Sequence, residues 1–382
     1  MKNRFYALLS IALACILCLF SACTNTLGGS SASETSPATD TAYEMPDPAD
    51  IPNMRTVTVP YNAVMDPVLC GDLLYMAVAK EDRSETDTNR LVAYNLETGE
   101  ETLLFTSKQE LAMMQALQTD GTWLVWIDLG LYGDACNIYM MNLETKEITL
   151  VNAFSSEAPS YTLPAYMDGK IYWIEEESVS GEGDDLYING HVYSYTCATK
   201  EKTAIAELHN IYLNNLEVAA KDGKVVWFER IGNNGAYYLY DTETGKTDVV
   251  PSQLPDAMNI QYADGYIFAN ETESFTERTT KYMVDVQVDT KTYTKLEQNF
   301  TRFYLTDHYL LGANGSSIPI YKRNGGTIEI LSDYTIFKCT DFNINRGDQV
   351  IFVGENAGHS EKPFQGLHNE INLYICDLNE LP

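Results

Sequence analysis

Positive charge is scarce in this chain, and so are the residue patterns that mark common active sites. The 382 residues include 25 Lys and Arg against 54 Asp and Glu, which gives a formal net charge of −29. Such a charge repels nucleic acids and anionic lipid surfaces, so neither is expected as a partner. The motifs G-x-S-x-G and H-E-x-x-H and a phosphate-binding glycine loop are also missing. These absences remove the enzyme classes that such motifs identify.

Cysteine pairs are lacking as well. Three of the eight cysteines lie within the first 23 residues, and the other five are far apart, without any C-x-x-C pair. An odd number at irregular spacing speaks against a zinc site or a dense disulfide framework. Buried free thiols are the expectation, with one disulfide as the alternative. The five residues are Cys70, Cys136, Cys197, Cys339 and Cys376.

The only long hydrophobic run lies at the N-terminus, in "MKNRFYALLSIALACILCLFSA" at residues 1–22. Lys2 and Arg4 precede the run and small residues follow it, which is the pattern of a secretory signal peptide. The next residue is Cys23, and "FSAC" resembles the bacterial lipobox, although Phe20 stands where Leu is usual. We therefore expect a lipid-anchored protein on the outer side of a bacterial cytoplasmic membrane. An uncleaved N-terminal anchor helix is the alternative, and a run of this length is marginal for one.

Residues 23–54 contain no Lys or Arg and consist mainly of Ser, Thr, Pro, Gly and acidic residues. A segment of this composition cannot build a hydrophobic core. It is predicted to be a flexible tether between the lipid anchor and a folded domain at residues 55–382.

Short hairpin sequences recur along the folded domain. "YNLETGEETLL" at 94–104 returns as "MNLETKEITLV" at 141–151 and as "YDTETGKTDVV" at 240–250. Each is an alternating apolar segment, a polar turn and a second alternating segment, which predicts a tight β-hairpin. A second turn, usually Asp-Gly, also recurs once in each repeat, and its aspartates are separated by 48, 54, 42, 43 and 41 residues. They are Asp120, Asp168, Asp222, Asp264, Asp307 and Asp348.

This period, with four short strands per unit, predicts an all-β, seven-bladed β-propeller. The last unit is one strand short, and the spare strand "RTVTVPY" at 55–61 precedes the first unit. We expect this strand to complete the last blade and close the ring, which removes an exposed sheet edge. Six or eight blades, or an array of β-sandwiches, are the alternatives.

Trp126, Trp173 and Trp227 follow their turn aspartates by five or six residues. Large aromatic residues at one recurring strand position are predicted to pack between neighbouring blades. A stacking platform for sugars is the functional alternative, and it would require these rings at loop tips.

The segments "IYWIEE", "LVWIDL" and "NLETGEE" resemble those of bacterial TolB-like propellers and of the uncharacterised family related to YWTD propellers. The resemblance covers residues 55–382, but the YWTD tetrapeptide is never complete, since Ile174 and Glu175 follow Tyr172-Trp173. Membership would imply binding or scaffolding more often than chemistry. No residue of known function carries over.

In a four-stranded blade the B–C and D–A connections share one face, called the loop face here, and the tight turns share the other, the turn face. The variable B–C connections make the loop face the predicted site of function. The third B–C connection along the chain, "EEESVSGEGDDLYING", could offer carboxylates to calcium, although a solvated acidic loop is the simpler interpretation. The calcium candidates are Glu175, Glu176, Glu182, Asp184 and Asp185.

Six basic or imidazole side chains also map to the loop face and could form an acid–base site. Dispersed surface residues are the simpler interpretation of them. They are His191, His209, Arg230, Arg278, His359 and His368, while His308 maps to the turn face.

The sequence thus predicts a monomeric binding or scaffold module, without a required cofactor, that recognises a protein, a peptide or a cell-envelope glycan. An extracytoplasmic hydrolase or lyase acting on polysaccharide or peptide is the alternative.

Overall fold

A computed structural model describes most of the chain beyond the predicted tether. The described residues are 48–79, 87–109, 111–130, 136–154, 163–182, 185–212, 217–231, 234–273, 282–296, 300, 302–313, 317–324, 327–337, 339–345, 347–354 and 370–381. No helix within these ranges is long and apolar enough to cross a membrane. The predicted signal peptide, Cys23 and the tether as far as residue 47 lie outside them.

Seven four-stranded antiparallel sheets form the blades of a propeller, as predicted. Blade 7 takes its fourth strand from the start of the chain, which is β1 (Arg55–Val59). Blades 1 to 3 are built from β2 (Val64–Cys70), β3 (Leu73–Val78), β4 (Arg90–Asn95) and β5 (Glu101–Thr106); β6 (Ala112–Thr119), β7 (Trp123–Gly130), β8 (Cys136–Asn142) and β9 (Ile148–Phe154); and β10 (Ala165–Met167), β11 (Lys170–Glu182), β12 (Asp185–Thr196) and β13 (Glu201–Tyr212).

The remaining blades repeat this order, and strands A to D of each blade follow one another along the chain. Blades 4 to 7 are built from β14 (Ala219–Lys221), β15 (Lys224–Ile231), β16 (Asn234–Asp241) and β17 (Thr247–Pro251); β18 (Asp256–Ala263), β19 (Tyr266–Thr272), β20 (Tyr282–Gln287) and β21 (Thr292–Leu296); β22 (Arg302–Leu305), β23 (Tyr309–Ala313), β24 (Ser317–Asn324) and β25 (Thr327–Phe337); and β26 (Cys339–Ile344), β27 (Gln349–Gly354) and β28 (Ile371–Asp377) with β1.

The N-terminal strand closes the ring, which confirms the prediction for residues 55–61. β1 pairs antiparallel with β28, from Arg55 opposite Ile375 to Val59 opposite Ile371. The residues just before β1 also contact blade 7, because Ile51 and Met54 pack on its apolar cluster. Residues 48–54, the end of the predicted tether, therefore lie against the propeller.

One backbone hydrogen bond recurs in every blade and defines equivalent positions around the ring. An N–H group at the end of strand C donates to a carbonyl of the A–B turn, at 2.7 to 3.0 Å. In six blades the donor is the residue directly after strand C, and in blade 6 it is Arg323, the next-to-last residue of β24. The seven donors are Leu96, Leu143, Cys197, Thr242, Val288, Arg323 and Leu378.

The three recurring tryptophans pack in the core, as predicted. Trp126, Trp173 and Trp227 are buried, and each ring stacks on a tyrosine of strand C with centroids 5.6 to 5.8 Å apart. Such contacts add to the area that each ring buries. The five cysteines of the propeller carry free thiols, four of them buried.

The third B–C connection differs from its prediction as a long acidic loop. β11 continues to Glu182 and β12 begins at Asp185, so most of the segment forms a hairpin with a bulge between Glu176 and Ser178. β13 pairs with β12 as far as Tyr187 opposite Tyr212. Buried apolar side chains explain the difference, because Ile188, Leu208 and Ile211 pack with Trp227 of blade 4.

Candidate functional site

The prolonged strands of blade 3 carry a row of charged side chains at the loop-face end of the propeller. Across the three strands, Glu175 stands opposite His191, and His191 stands opposite Glu207. Side chains at directly opposed positions share one face of a sheet and lie close together. The row therefore alternates carboxylate, imidazole and carboxylate.

Two further residues extend this row. His191 Nδ1 lies 2.8 Å from Glu177 Oε1, and His209 Nε2 lies 3.7 Å from Glu207 Oε1. Glu177, Glu207 and His209 are solvent-exposed. We call Glu175, Glu177, His191, Glu207 and His209 the blade 3 patch.

Lys202 holds one end of the patch in place. Its ammonium group donates to Glu175 Oε2 at 2.5 Å and stands 4.0 Å above the centre of the Tyr193 ring. It also donates to Asn152 Oδ1 of blade 2 at 3.3 Å. A cation held by a carboxylate and an aromatic face loses much of its freedom. The patch is therefore built on an ordered base that bridges blades 2 and 3.

The patch offers hydrogen-bond acceptors and two imidazoles at an accessible surface. With three carboxylates against one lysine it favours cationic or hydrogen-bond-donating groups when the histidines are neutral. A histidine beside a carboxylate can also move a proton. This arrangement of side chains suits the recognition of a charged partner.

Arg230 does not join the patch, although the sequence grouped it with the histidines. Its Nη1 donates to Asp256 Oδ2 at 2.8 Å, and the Asp256 side chain is fully buried. Arg230 lies on strand B of blade 4 and Asp256 on strand A of blade 5. The pair therefore ties two neighbouring blades together near the loop face.

A second buried carboxylate stands beside this interblade tie. Glu271 accepts hydrogen bonds from Tyr237 Oη at 2.9 Å and from the backbone N–H of Leu254 at 3.1 Å. Burial raises the pKa of Glu271, and the hydrogen bonds oppose that rise. Glu271 thereby fixes the connection between blades 4 and 5.

His308 lies in the A–B turn of blade 6, on the turn face. Its Nδ1 stands 2.5 Å from Asp348 Oδ2, and Thr306 Oγ1 donates to Asp348 Oδ1 at 2.6 Å. Burial would raise the pKa of Asp348, but the bonds from His308, Thr306 and Asn379 outweigh it and lower the pKa to about 2. This cluster joins blades 6 and 7.

The other predicted site residues lie outside the described part of the chain. They are Arg278, His359, His368 and Asp184, together with the side chains of Glu182 and Asp185. The acid–base site, and with it the hydrolase or lyase alternative, therefore stays a prediction.

Calcium binding at the third B–C connection also stays a prediction. Glu175 already has Lys202 as its partner and accepts from Trp173 Nε1 at 3.2 Å. Among the side chains that the structure describes, no group of three or more His, Cys, Asp or Glu is placed to hold a metal ion.

Sequence reasoning missed Glu207 and Lys202 as members or supports of this site, and it considered Glu177 only as one carboxylate of the acidic third B–C loop. The available signal was the alternation in "ELH", where polar Glu207 and His209 flank apolar Leu208. It shows which side chains share a face of β13, but it does not show which residues of β12 stand opposite.

Comparisons with known proteins show the fold alone. No protein-family model matches the chain, and no curated protein matches it. A structure from a study of two prolyl endopeptidases is similar, with a TM-score of 0.50, 10% identity, and coverage of 76% of this chain and 46% of that one. The β-propeller domain of the Trilobed protease from Pyrococcus furiosus gives a TM-score of 0.47, 12% identity, and coverage of 77% and 92%. TolB from Acinetobacter baumannii gives 0.39, 10% identity, and coverage of 76% and 61%.

Proposed function

We propose that this chain is a lipid-anchored binding module on the outer side of a bacterial cytoplasmic membrane. It recognises a protein or peptide through the loop face, with the blade 3 patch as its principal contact surface, and a cell-envelope glycan is the other partner that the patch could serve. The observation that carries the proposal is the alternating row Glu175, His191 and Glu207 on an ordered sheet.

The base of the patch supports this role. Ile188 and Ile211 are fully buried beneath the prolonged strands, and Lys202 fixes Glu175 from the side. A surface that is already ordered before binding avoids part of the entropy cost of association. Polar groups on such a surface contribute specificity and association rate.

The proposed location rests on the N-terminal pattern. The signal-peptide features end directly before Cys23, and residues 24–47 provide a polar spacer. A flexible chain of that length has an end-to-end distance of about 25–30 Å. The propeller would thus be held close to the membrane and still be free to turn toward a partner.

The test is affinity capture from solubilised membranes with the full lipidated chain as bait. The patch variant Glu177→Gln/Glu207→Gln removes two charges without touching Lys202. The matched control Glu144→Gln/Glu243→Gln removes two exposed charges from C–D turns on the turn face. We expect a specific partner with the wild type and the control, and several-fold less of it with the patch variant.

A glycan array probed with the same three proteins distinguishes the two kinds of partner. Glycan binding that depends on the patch would identify the partner as a glycan and not as a protein. The absence of any specific protein or glycan would refute the proposed function, and so would equal binding by the patch variant and the control.

A further inference from the structure

Two charged residues occupy core positions at the interface between blades 5 and 6. The recurring backbone donor of each blade and the residue three positions before it are equivalent around the ring. Arg323 is the donor in blade 6, and Asp285 is the earlier residue in blade 5. The charge of Arg323 acts on the Asp285 carboxyl group, so these two positions lie close together where blades 5 and 6 meet.

The other interfaces establish that geometry. At five of them the earlier residue of one blade and the donor of the next belong to one apolar cluster. The sixth interface has the small hydroxyl residues Ser194 and Thr242. The apolar pairs are Ala93–Leu143, Met140–Cys197, Leu239–Val288, Ile320–Leu378 and Ile375–Leu96.

Asp285 and Arg323 are both deeply buried, with 3% and 5% of their surfaces exposed. Arg323 Nη2 donates to Asp264 Oδ2 and to the Asp307 carbonyl, each at 2.6 Å. Among the described residues, Asp285 Oδ1 and the Nε and Nη1 atoms of Arg323 have no hydrogen-bond partner. Buried polar atoms without a hydrogen-bond partner reduce the stability of the fold unless a water molecule or a change of protonation satisfies them.

We propose that Asp285 and Arg323 form a proton-sensitive latch between blades 5 and 6. With its proton, Asp285 is a neutral side chain in an otherwise apolar interface, and Arg323 is balanced by Asp264. When the proton passes to bulk water, a buried carboxylate faces a buried guanidinium that already donates elsewhere. The ion pair then draws water between the strands and loosens the contact.

The neighbouring groups support this assignment. Among the described residues, the charged groups beside Asp285 are Arg323 on β24 and its partner Asp264 in the A–B turn. The titratable side chains of the adjoining apolar cluster are Tyr266 on β19 and Tyr321 on β24. Burial raises the pKa of Asp285 to about 7 from 3.8, and the charge of Arg323 opposes the rise.

A carboxyl group with a raised pKa binds its proton more tightly in the folded state than in the unfolded state. Its contribution to stability is therefore greatest below about pH 4 and decreases as the pH rises to about 7.

The latch can be tested by amide hydrogen exchange of the full chain from about pH 5 to about pH 8, with each rate corrected for intrinsic exchange. We expect protection of β20 and β24 to fall several-fold more than protection of β8. Met140 of β8 packs with Cys197 of blade 3, so this interface is an apolar internal control. Asp285→Leu/Arg323→Val copies the interface between blades 4 and 5, and the extra fall should disappear.

Asp285→Asn keeps the shape of the side chain and should also abolish the extra fall, which covers the case in which the double variant folds poorly. Thermal unfolding supplies a second readout. The difference in Tm between wild type and Asp285→Asn should change with pH, whereas a purely structural role would give a constant difference. Equal exchange profiles in all three proteins, or a constant Tm difference, would overturn the latch.

Discussion

Replacement of Arg230 by Met should destabilise the propeller strongly, because it leaves Asp256 without the guanidinium. The Asp256 side chain is fully buried, and that of Arg230 is 16% exposed. Removing one partner of a buried ion pair typically costs about 3–5 kcal/mol. At about 2 °C per kcal/mol for a domain of this size, Tm should fall by about 6–10 °C.

The matched control is Arg90→Met. Arg90 Nη2 lies 2.8 Å from Glu101 Oε1, but both side chains are partly exposed. Exposed pairs contribute about 0–1 kcal/mol, so Tm should change by no more than about 2 °C. Scanning calorimetry of the two variants and wild type measures the contrast directly.

A third variant separates loss of the pair from loss of a functional group. Arg230→Met/Asp256→Leu replaces both charges with apolar side chains of similar size and should recover most of the lost stability. If Arg230→Met shifted Tm no more than Arg90→Met, the ion pair would not hold blades 4 and 5 together. Arg230 would then be open to the ligand-binding role that the sequence suggested.

Two further predictions concern single hydrogen bonds of the core and the turn face. Trp227→Phe should lower the free energy of unfolding in urea by about 1–2 kcal/mol more than Trp126→Phe does. The reason is that Trp227 Nε1 donates to buried Glu229 at 2.8 Å, whereas Trp126 Nε1 has no partner among the described residues. Equal losses would contradict the role of this bond. Asp348→Asn should remove a component of stability that is present above about pH 4 and is lost as the pH falls to about 2, because its folded-state pKa is lowered. Acid unfolding curves measure this component, and identical curves for variant and wild type would show that the contacts with His308 do not stabilise the carboxylate.

The seven blades could be predicted because each hairpin depends on local turn chemistry. Asp168, Asp222 and Asp264 have φ of 51° to 52°, and each precedes a glycine with positive φ. Two successive residues with positive φ form the tight turns that match the twist of antiparallel strands. The closing strand was predictable for a related reason, since an incomplete last blade requires a partner.

The third B–C connection was predicted wrongly because its composition favours a loop, whereas its packing against blade 4 favours strands. Glu175 to Asp185 is rich in acidic residues and glycine, which favour a loop. Ile188 and Ile211 become buried only because Trp227 of the next blade lies beneath them. A contact between blades therefore outweighed the local preference.

The repeat, the number of strands and the turn types could be read from the amino-acid sequence, because these features depend on neighbours a few residues apart. The alignment of Glu175, His191 and Glu207 in one row became evident only in the folded chain, because the register of β11 to β13 includes bulges that no local pattern reveals. The same is true of the proximity of Asp285 to Arg323 and of the ion pair between Arg230 and Asp256. Each of these pairs joins two blades, and the side chains that meet across an interface are selected by the geometry of the closed ring.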